Sequence, residues 1–384
     1  MKKSTKKVDV VKTEKMVEVT EGVLKQFKDR AETLSKEKDA LSQELVRIRS
    51  THVEMNLEYQ QGIDGPPIAK EALWEHAISG DAVTTRSWKK TWTDTIESNA
   101  KKYDFNGSNV MELFGAHAYK PAIIAGSGPS LKKKAHLLKD RGEIPLISCL
   151  HNFAFFEDLG VVADAYVNLD SGPITIPEMS EAGKNDPEHY WNLTKDRVLI
   201  ACITSHPDIL KKWQGKIYFF STVSPDSELQ KCFSESCGGE LPVYSVGGNT
   251  LGACMYHARS VLGCSPICFV GADFAFGYTH KFHSWDSGYD DQFKGLSPMT
   301  DVFGNRVYSW RSYINFKMFF EYIAMGGRGN TPMLMVNCTE GGILGAWPEG
   351  NSRFIPQMTL REFLMMYNLH KRLPECIDKK MLLY

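Results

Sequence analysis

The apolar positions change their period along the chain. They begin as a seam at Leu24, Phe27, Ala31, Leu34, Leu41, Leu45, Ile48, Met55 and Tyr59, with Lys38 and His52 on the same line. The steps alternate three and four residues, the heptad pattern of a coiled coil, and most intervening positions are charged or polar. A coiled coil is therefore predicted over 16–62, after a Lys-rich tail, 1–15, expected to be disordered. Lys38 and His52 cost stability on such a seam but fix register or oligomer number. Self-association through this helix is the expectation. The alternative is one amphipathic helix lying on the body of its own chain.

Gly62 to Pro67 breaks the helix. A second helical segment, within 68–118, carries Trp74, Trp88 and Trp92, indoles expected to pack on the main domain. From Pro121 short apolar runs alternate with helical stretches. Strands are predicted at 122–125, 144–150, 165–169, 198–203, 217–220, 266–270 and 333–336, with helices at 129–139, 153–159, 249–262 and 316–325. Strands that are apolar throughout, separated by helices, predict an α/β, Rossmann-like fold over 119–345 with a mostly parallel sheet covered on both faces. A C-terminal helical tail is expected over 346–384. In such a sheet ligands bind at the carboxyl ends of the strands, so the polar residues just after each run are the ones to weigh.

Composition narrows the partners. The formal net charge of -1 argues against general nucleic-acid binding. The 9 cysteines are odd in number and follow no repeating spacing, which reads as reduced thiols in a cytoplasmic protein. Cys232 and Cys237 are close enough in sequence for a metal or disulfide role to be considered, but ordinary thiols are expected. No apolar run reaches the ~18 residues of a membrane span, and the basic N-terminus has no apolar stretch after it to make a secretory signal.

The first candidate chemistry is A-G-S-G-P-S-L, residues 125–131. A strand ending in Gly126, Ser127, Gly128 and Ser130 before a helix can bring backbone N–H groups to a phosphate. It lacks the third glycine of the dinucleotide fingerprint and the Gly-Lys-Ser/Thr of a Walker loop. Lys132, Lys133 and Lys134 are expected to face solvent. Asn152, Asn168 and Asp170 fall at or beyond strand ends, where they serve either as caps or as ribose, base or Mg²⁺ contacts. G-G-N-T-L-G, 247–252, opens another helix through Asn249 and Thr250, and Asp273 follows a later strand. The stretch 277–308 reads as a long polar lid whose His280 or His283 could serve as a general base. T-H-K-F-H offers two His and no third ligand, so it is not a zinc motif. N-C-T-E-G-G places Thr339 and Glu340 over the same edge of the sheet.

Taken in order, A-G-S-G-P-S-L, S-C-L-H-N-F with V-N-L-D, G-N-T, V-G-A-D-F-A-F before T-H, and N-C-T-E-G-G resemble the superfamily of Maf flagellin-modifying glycosyltransferases and MptE-like 6-hydroxymethylpterin diphosphokinases. The first half also looks like bacterial sialyltransferases that use CMP-sialate. The likeness covers about Thr91 to Gly345. It implies Gly126, Ser127, Gly128 and Ser130 beside the nucleotide phosphate, Asn152 and Asn168 near base and ribose, and Asn249 and Thr250 on the other side of the nucleotide. It puts Asp170 and Asp273 at matching strand ends, and its T-E-G-G block favours the glycosyltransferase branch. The resulting expectation is transfer of a sialic-like, nonulosonic sugar from a CMP-sugar to a hydroxyl of a protein or glycan acceptor, with Asp273, His280 and His283 as catalytic candidates and no required cofactor. One alternative is an ATP-dependent diphosphokinase with Mg²⁺ on Asp170. Another is a nucleotide-binding scaffold.

The coiled-coil reading is open to a direct measurement. Leu41→Asp puts a charge on the seam and should dissociate any oligomer. Sedimentation at the same rate before and after the substitution would rule the seam out as an association surface.

Overall fold

A computed structural model describes residues 29–30, 32–33, 36, 68–173, 176–177, 187–224, 226–239, 241–276, 296–326, 333–347, 350–352 and 354–372. The predicted coiled coil lies outside them, apart from helical residues at 29–30, 32–33 and 36. The body begins with α1 (Ile68–Ala100). Near its end Thr95, Ile96 and Asn99 are buried. The Asn99 amide donates to the carbonyls of Ile203 at 3.0 Å and Ser205 at 2.9 Å, which ties α1 to the sheet through a side chain rather than by apolar contact alone. Trp92 packs against the core, while Trp88 is 37% exposed and does not meet the expectation of a packed indole.

Eight parallel strands form the sheet. They are β1 (Ala122–Ala125), β2 (Leu146–Cys149), β3 (Ala165–Asn168), β4 (Val198–Cys202), β5 (Lys216–Thr222), β6 (Val243–Tyr244), β7 (Ile267–Val270) and, after a short antiparallel pair, β10 (Met335–Asn337). That pair, β8 (Ser297–Thr300) and β9 (Arg306–Ser309), lies inside the stretch expected to be an irregular lid. The helices between strands are α2 (Leu131–Lys134), α3 (Phe153–Leu159), α4 (Pro187–Leu193), α5 (Pro207–Lys212), α6 (Ser227–Ser236), α7 (Thr250–Tyr256) and α8 (Arg311–Ala324), and α9 (Leu360–Arg372) follows the last strand of the sheet. The predicted helix at 129–139 is instead one α-turn followed by a 3₁₀ stretch. The C-terminal tail opens with a two-stranded ribbon at 346–351 before α9.

The sheet order is β10-β7-β1-β2-β3-β4-β5-β6. Ile123, Ile124, Ile147, Leu199, Ile200, Cys268 and Phe269 are fully buried, which is why these strands read as unbroken apolar runs. The chain runs from β1 outward to β6, then returns to place β7 on the other flank of β1. The turns after β1 and β7 therefore diverge, and a crevice is expected between them.

One buried ion pair fixes α8, the helix beside this crevice. Lys317 Nζ stands 2.8 Å from Glu321 Oε1, with the side chains 2% and 0% exposed, and lies 3.5 Å from the centre of the Trp347 ring. Glu321 also accepts from the Gly345 N–H at 2.9 Å. Removing one partner leaves the other charge buried alone. Lys317→Ala should cost about 3–5 kcal/mol in denaturant unfolding, and Lys317→Met with Glu321→Gln should cost distinctly less. Equal losses would mean that the charges are not coupled.

Candidate active site

A cleft of about 300 Å³ opens at this reversal of strand order. Its floor is made by the turns after β1 and β7. The Gly126 N–H donates to the Val270 carbonyl at 2.9 Å and the Gly128 N–H to the Gly271 carbonyl at 3.0 Å. A Cβ on Gly126 would stand 2.5 Å from the Gly271 oxygen, and Gly271 itself has φ +63. The two turns thus meet backbone to backbone, and only glycine permits that approach.

Asp273 fills the place where a phosphate was expected. The Ser130 hydroxyl donates to Asp273 Oδ2 at 2.7 Å, and the Ser130 N–H donates to Oδ1 at 3.2 Å. The Leu131 N–H is taken by the Gly128 carbonyl at 3.1 Å. With the Gly126 and Gly128 N–H groups, five donors of this turn are therefore used within the protein, and the four-residue α2 adds little dipole. Ser127 is the residue of this turn still able to turn its donors to a ligand. Asp273 is 6% exposed. Burial raises its pKa from 3.8 to about 6, against the opposing effect of the Ser130 hydrogen bonds and the Lys134 ammonium. Lys134 is buried rather than solvated as expected. It reaches the Thr339 carbonyl and stands 3.2 Å from Glu340, and burial lowers its pKa.

Of the other predicted contacts, the cleft gathers Gly126, Ser127, Gly128, Asp170, Asn249 and Thr250. Asn249 caps α7, its Oδ1 accepting from the Gly252 N–H at 2.8 Å. Thr250 Oγ1 donates to Asp170 Oδ2 at 3.4 Å. Four expected contacts serve as struts instead. The buried Asn152 amide donates to the Gly126 carbonyl at 3.1 Å and to Ser148 Oγ at 3.0 Å. Asn168 donates to Ser205 Oγ at 2.9 Å. Thr339 Oγ1 accepts from the Ala272 N–H at 3.1 Å, and Glu340 from the Leu360 N–H at 3.0 Å. A strand end must satisfy its last backbone groups, and a short polar side chain does so from inside the protein. His280 and His283 lie outside the described residues.

Two features of the cleft escaped the sequence reading. His151 lines it, with Nε2 3.9 Å from Asp170 Oδ2. Phe274, Tyr313 and Phe316 form an aromatic wall. Tyr313 stacks on Phe276 at 5.5 Å, and Phe274 lies 5.5 Å from Phe320, so the wall is backed by rings. Phe274 has φ +48, a backbone state unfavourable for a bulky residue, which places strain at the cleft. Tyr313 and Phe316 are three apart on a helix and share a face, a signal present in the sequence.

Among the described residues no group of three His, Cys, Asp or Glu side chains could hold a metal ion. Asp170, with its side chain 49% exposed, is one carboxylate that could share Mg²⁺ with ligand phosphates and water, the usual manner of holding that ion.

Residues 94–279 match the family described as 6-hydroxymethylpterin diphosphokinase MptE-like. The fold is similar to the Maf glycosyltransferase of Magnetospirillum magneticum AMB-1, with a TM-score of 0.50 at 17% identity, over 73% of this chain and 41% of that one. The present chain thus spans well under half the length of that protein. No curated protein sequence matches it. The Rossmann-like body is thus similar in sequence to the MptE-like family over residues 94–279 and in fold to the Maf glycosyltransferase. Among the described residues no helix is long and apolar enough to cross a membrane.

The raised pKa of Asp273 has a consequence for stability. A carboxyl held at about 6 instead of 3.8 disfavours its own ionisation in the fold. The penalty is present above about pH 6 and is relieved as pH falls through that value toward 3.8. At about 1.4 kcal/mol per pH unit it amounts to roughly 3 kcal/mol. Asp273→Asn should therefore stabilise the protein at alkaline pH by up to this amount, with the gain fading in acid. Thermal melts that show a loss at alkaline pH would overturn this account.

Proposed function

We propose that this protein is a glycosyltransferase that takes a CMP-activated nonulosonic sugar and transfers it to a hydroxyl of a protein or glycan acceptor. The observation that carries the reading is the Asp273 carboxylate, shielded yet open to the cleft at the strand-order reversal, with its pKa near 6. A base with that proton affinity is largely ionised near neutrality and still takes up a proton. The superfamily and the Maf-like fold support the class of reaction.

The nucleotide would lie across the strand ends. Asp170 and Thr250 suit ribose hydroxyls. Its phosphate would meet Ser127 and the first N–H groups of α7, at Thr250 and Leu251, which have no acceptor within the helix. The acceptor oxygen attacks the anomeric carbon as the bond from that carbon to the phosphate oxygen breaks. The bonding pair leaves on CMP, and the acceptor's proton passes to Asp273. His280 and His283 remain the alternative proton acceptors.

Asp170 favours a second reading. A half-exposed carboxylate in the same cleft, together with the MptE-like match, suits an ATP-dependent diphosphokinase. In that case Asp170 would hold Mg²⁺, and the metal would offset phosphate charge during transfer.

Calorimetry separates the two. CMP should bind equally well with and without EDTA. ATP binding that needs Mg²⁺, with no CMP binding, would sink the glycosyltransferase reading. Hydrolysis of a CMP-linked sialic acid should rise with pH through about 6 as Asp273 ionises. Asp273→Asn should lower kcat by about a hundredfold or more and leave CMP affinity nearly unchanged.

A further inference from the structure

We infer that the segment after β10, clamped by Lys134, is a positioning device that sets where the Asp273 carboxylate stands in the cleft. The inference rests on the reading of Asp273 as the proton acceptor. It gives Thr339 and Glu340 a different role from the nucleotide contacts suggested by their place at a strand end.

Hydrogen bonds from β10 and the segment after it reach Asp273 and the residue before it. β10 pairs with β7 through Asn337 and Phe269, and the Cys338 N–H continues the pairing to the Phe269 carbonyl at 2.8 Å. Asn337 Oδ1 holds the Thr339 N–H at 3.0 Å, and Thr339 Oγ1 holds the Ala272 N–H at 3.1 Å. The Ile343 N–H donates to the backbone carbonyl of Asp273 itself at 2.8 Å. Gly342, at φ +69, packs so closely on the Asp273 backbone that a Cβ there would overlap it. Asp273 is thus gripped on both sides. Its backbone is held by the post-β10 segment and its carboxylate by Ser130.

Lys134 closes the clamp. It leaves α2 four residues after Ser130 and binds the Thr339 carbonyl and the Glu340 carboxylate. Glu340 is anchored in turn to the start of α9 through the Leu360 N–H. The groups acting on Asp273 are the Ser130 hydroxyl and N–H from the start of α2, the Lys134 ammonium from its end and, behind Lys134, Glu340. A nearby ammonium favours the ionised carboxylate, so Lys134 keeps Asp273 more acidic than burial alone would. Thr339, Glu340 and Lys134 lie outside the cleft lining.

The test uses the full-length chain with ¹³C-carboxyl aspartate. The Asp273 resonance is the one that Asp273→Asn removes. Lys134→Met with Glu340→Gln takes away the clamp without leaving a lone buried charge, and should move the Asp273 midpoint upward by about one pH unit. Thr339→Val loses the acceptor for Ala272, loosens the Ser130 contacts and should move it in the same direction, whereas Thr339→Ser should restore it. CMP affinity should stay within about twofold of the parent in all of these variants, since none of the changed side chains lines the cleft. A midpoint unmoved in the folded variants overturns the inference. So does a fall in CMP affinity of about tenfold with an unmoved midpoint, because the segment would then contact the ligand directly. Should either construction fail to fold, the other carries the same measurement. Wild-type turnover by Asp273→Asn would remove the proton-acceptor reading, while the titration would still decide whether the segment positions the carboxylate.

Discussion

The site depends on the contact between the turns that follow β1 and β7. Two glycine-rich backbones touch there, and the Asp273 carboxylate caps Ser130 across the join. This contact brings the ends of neighbouring strands close enough to share a floor. It also decides what that floor can do. A phosphate approaching the first turn meets a carboxylate rather than open N–H groups. The turn presents this carboxylate and Ser127 to the cleft, and further polar groups lie across it at Asp170 and the start of α7.

The fold was legible because its strands are buried on both faces. Unbroken apolar runs such as Ala-Ile-Ile-Ala at 122–125 and Ile-Cys-Phe-Val at 267–270 offer no polar face to water, and the helical stretches between them leave a parallel sheet as the natural arrangement. The shorter elements were not legible. β6 has two residues, and β8–β9 carry too few apolar positions to stand out from a loop. The coiled-coil seam is a clear period in the sequence but falls outside the described residues.

The site was half legible, for a physical reason that individual residues show. Gly126, Gly128, Asp170 and Asn249 are at strand or helix ends in the sequence and at the cleft in the structure. Asn152, Asn168 and Thr339 have the same local signature, yet their side chains turn inward to satisfy neighbouring strand ends. Position along a strand does not say which way a short amide or hydroxyl points. His151 and Asn152 are adjacent at the end of β2, and the one that was passed over faces the cleft. The buried Lys134 misled for a related reason. A Lys-Lys-Lys run looks solvated, but α2 lasts a single turn, and only its third lysine points beneath the sheet edge toward Glu340.

Several unfavourable features sit together on the segments around this cleft. Asp273 ionises against its burial, Phe274 and Glu340 adopt positive φ, and Asn152 Oδ1 is buried without a partner. Each costs about 1–3 kcal/mol in general. They persist because the surrounding structure leaves these segments little alternative. The two turns are locked by glycine contacts, the Asp273 backbone is held from behind by Ile343, and the aromatic wall is braced by Phe276 and Phe320. The apolar sheet beneath them supplies the stability that offsets the cost. A residue replaced for stability alone at this edge would relax the geometry that holds the buried Asp273 carboxylate at the cleft. The concentration of strain therefore marks the same edge of the sheet as the cleft does, and it does so independently of any relative.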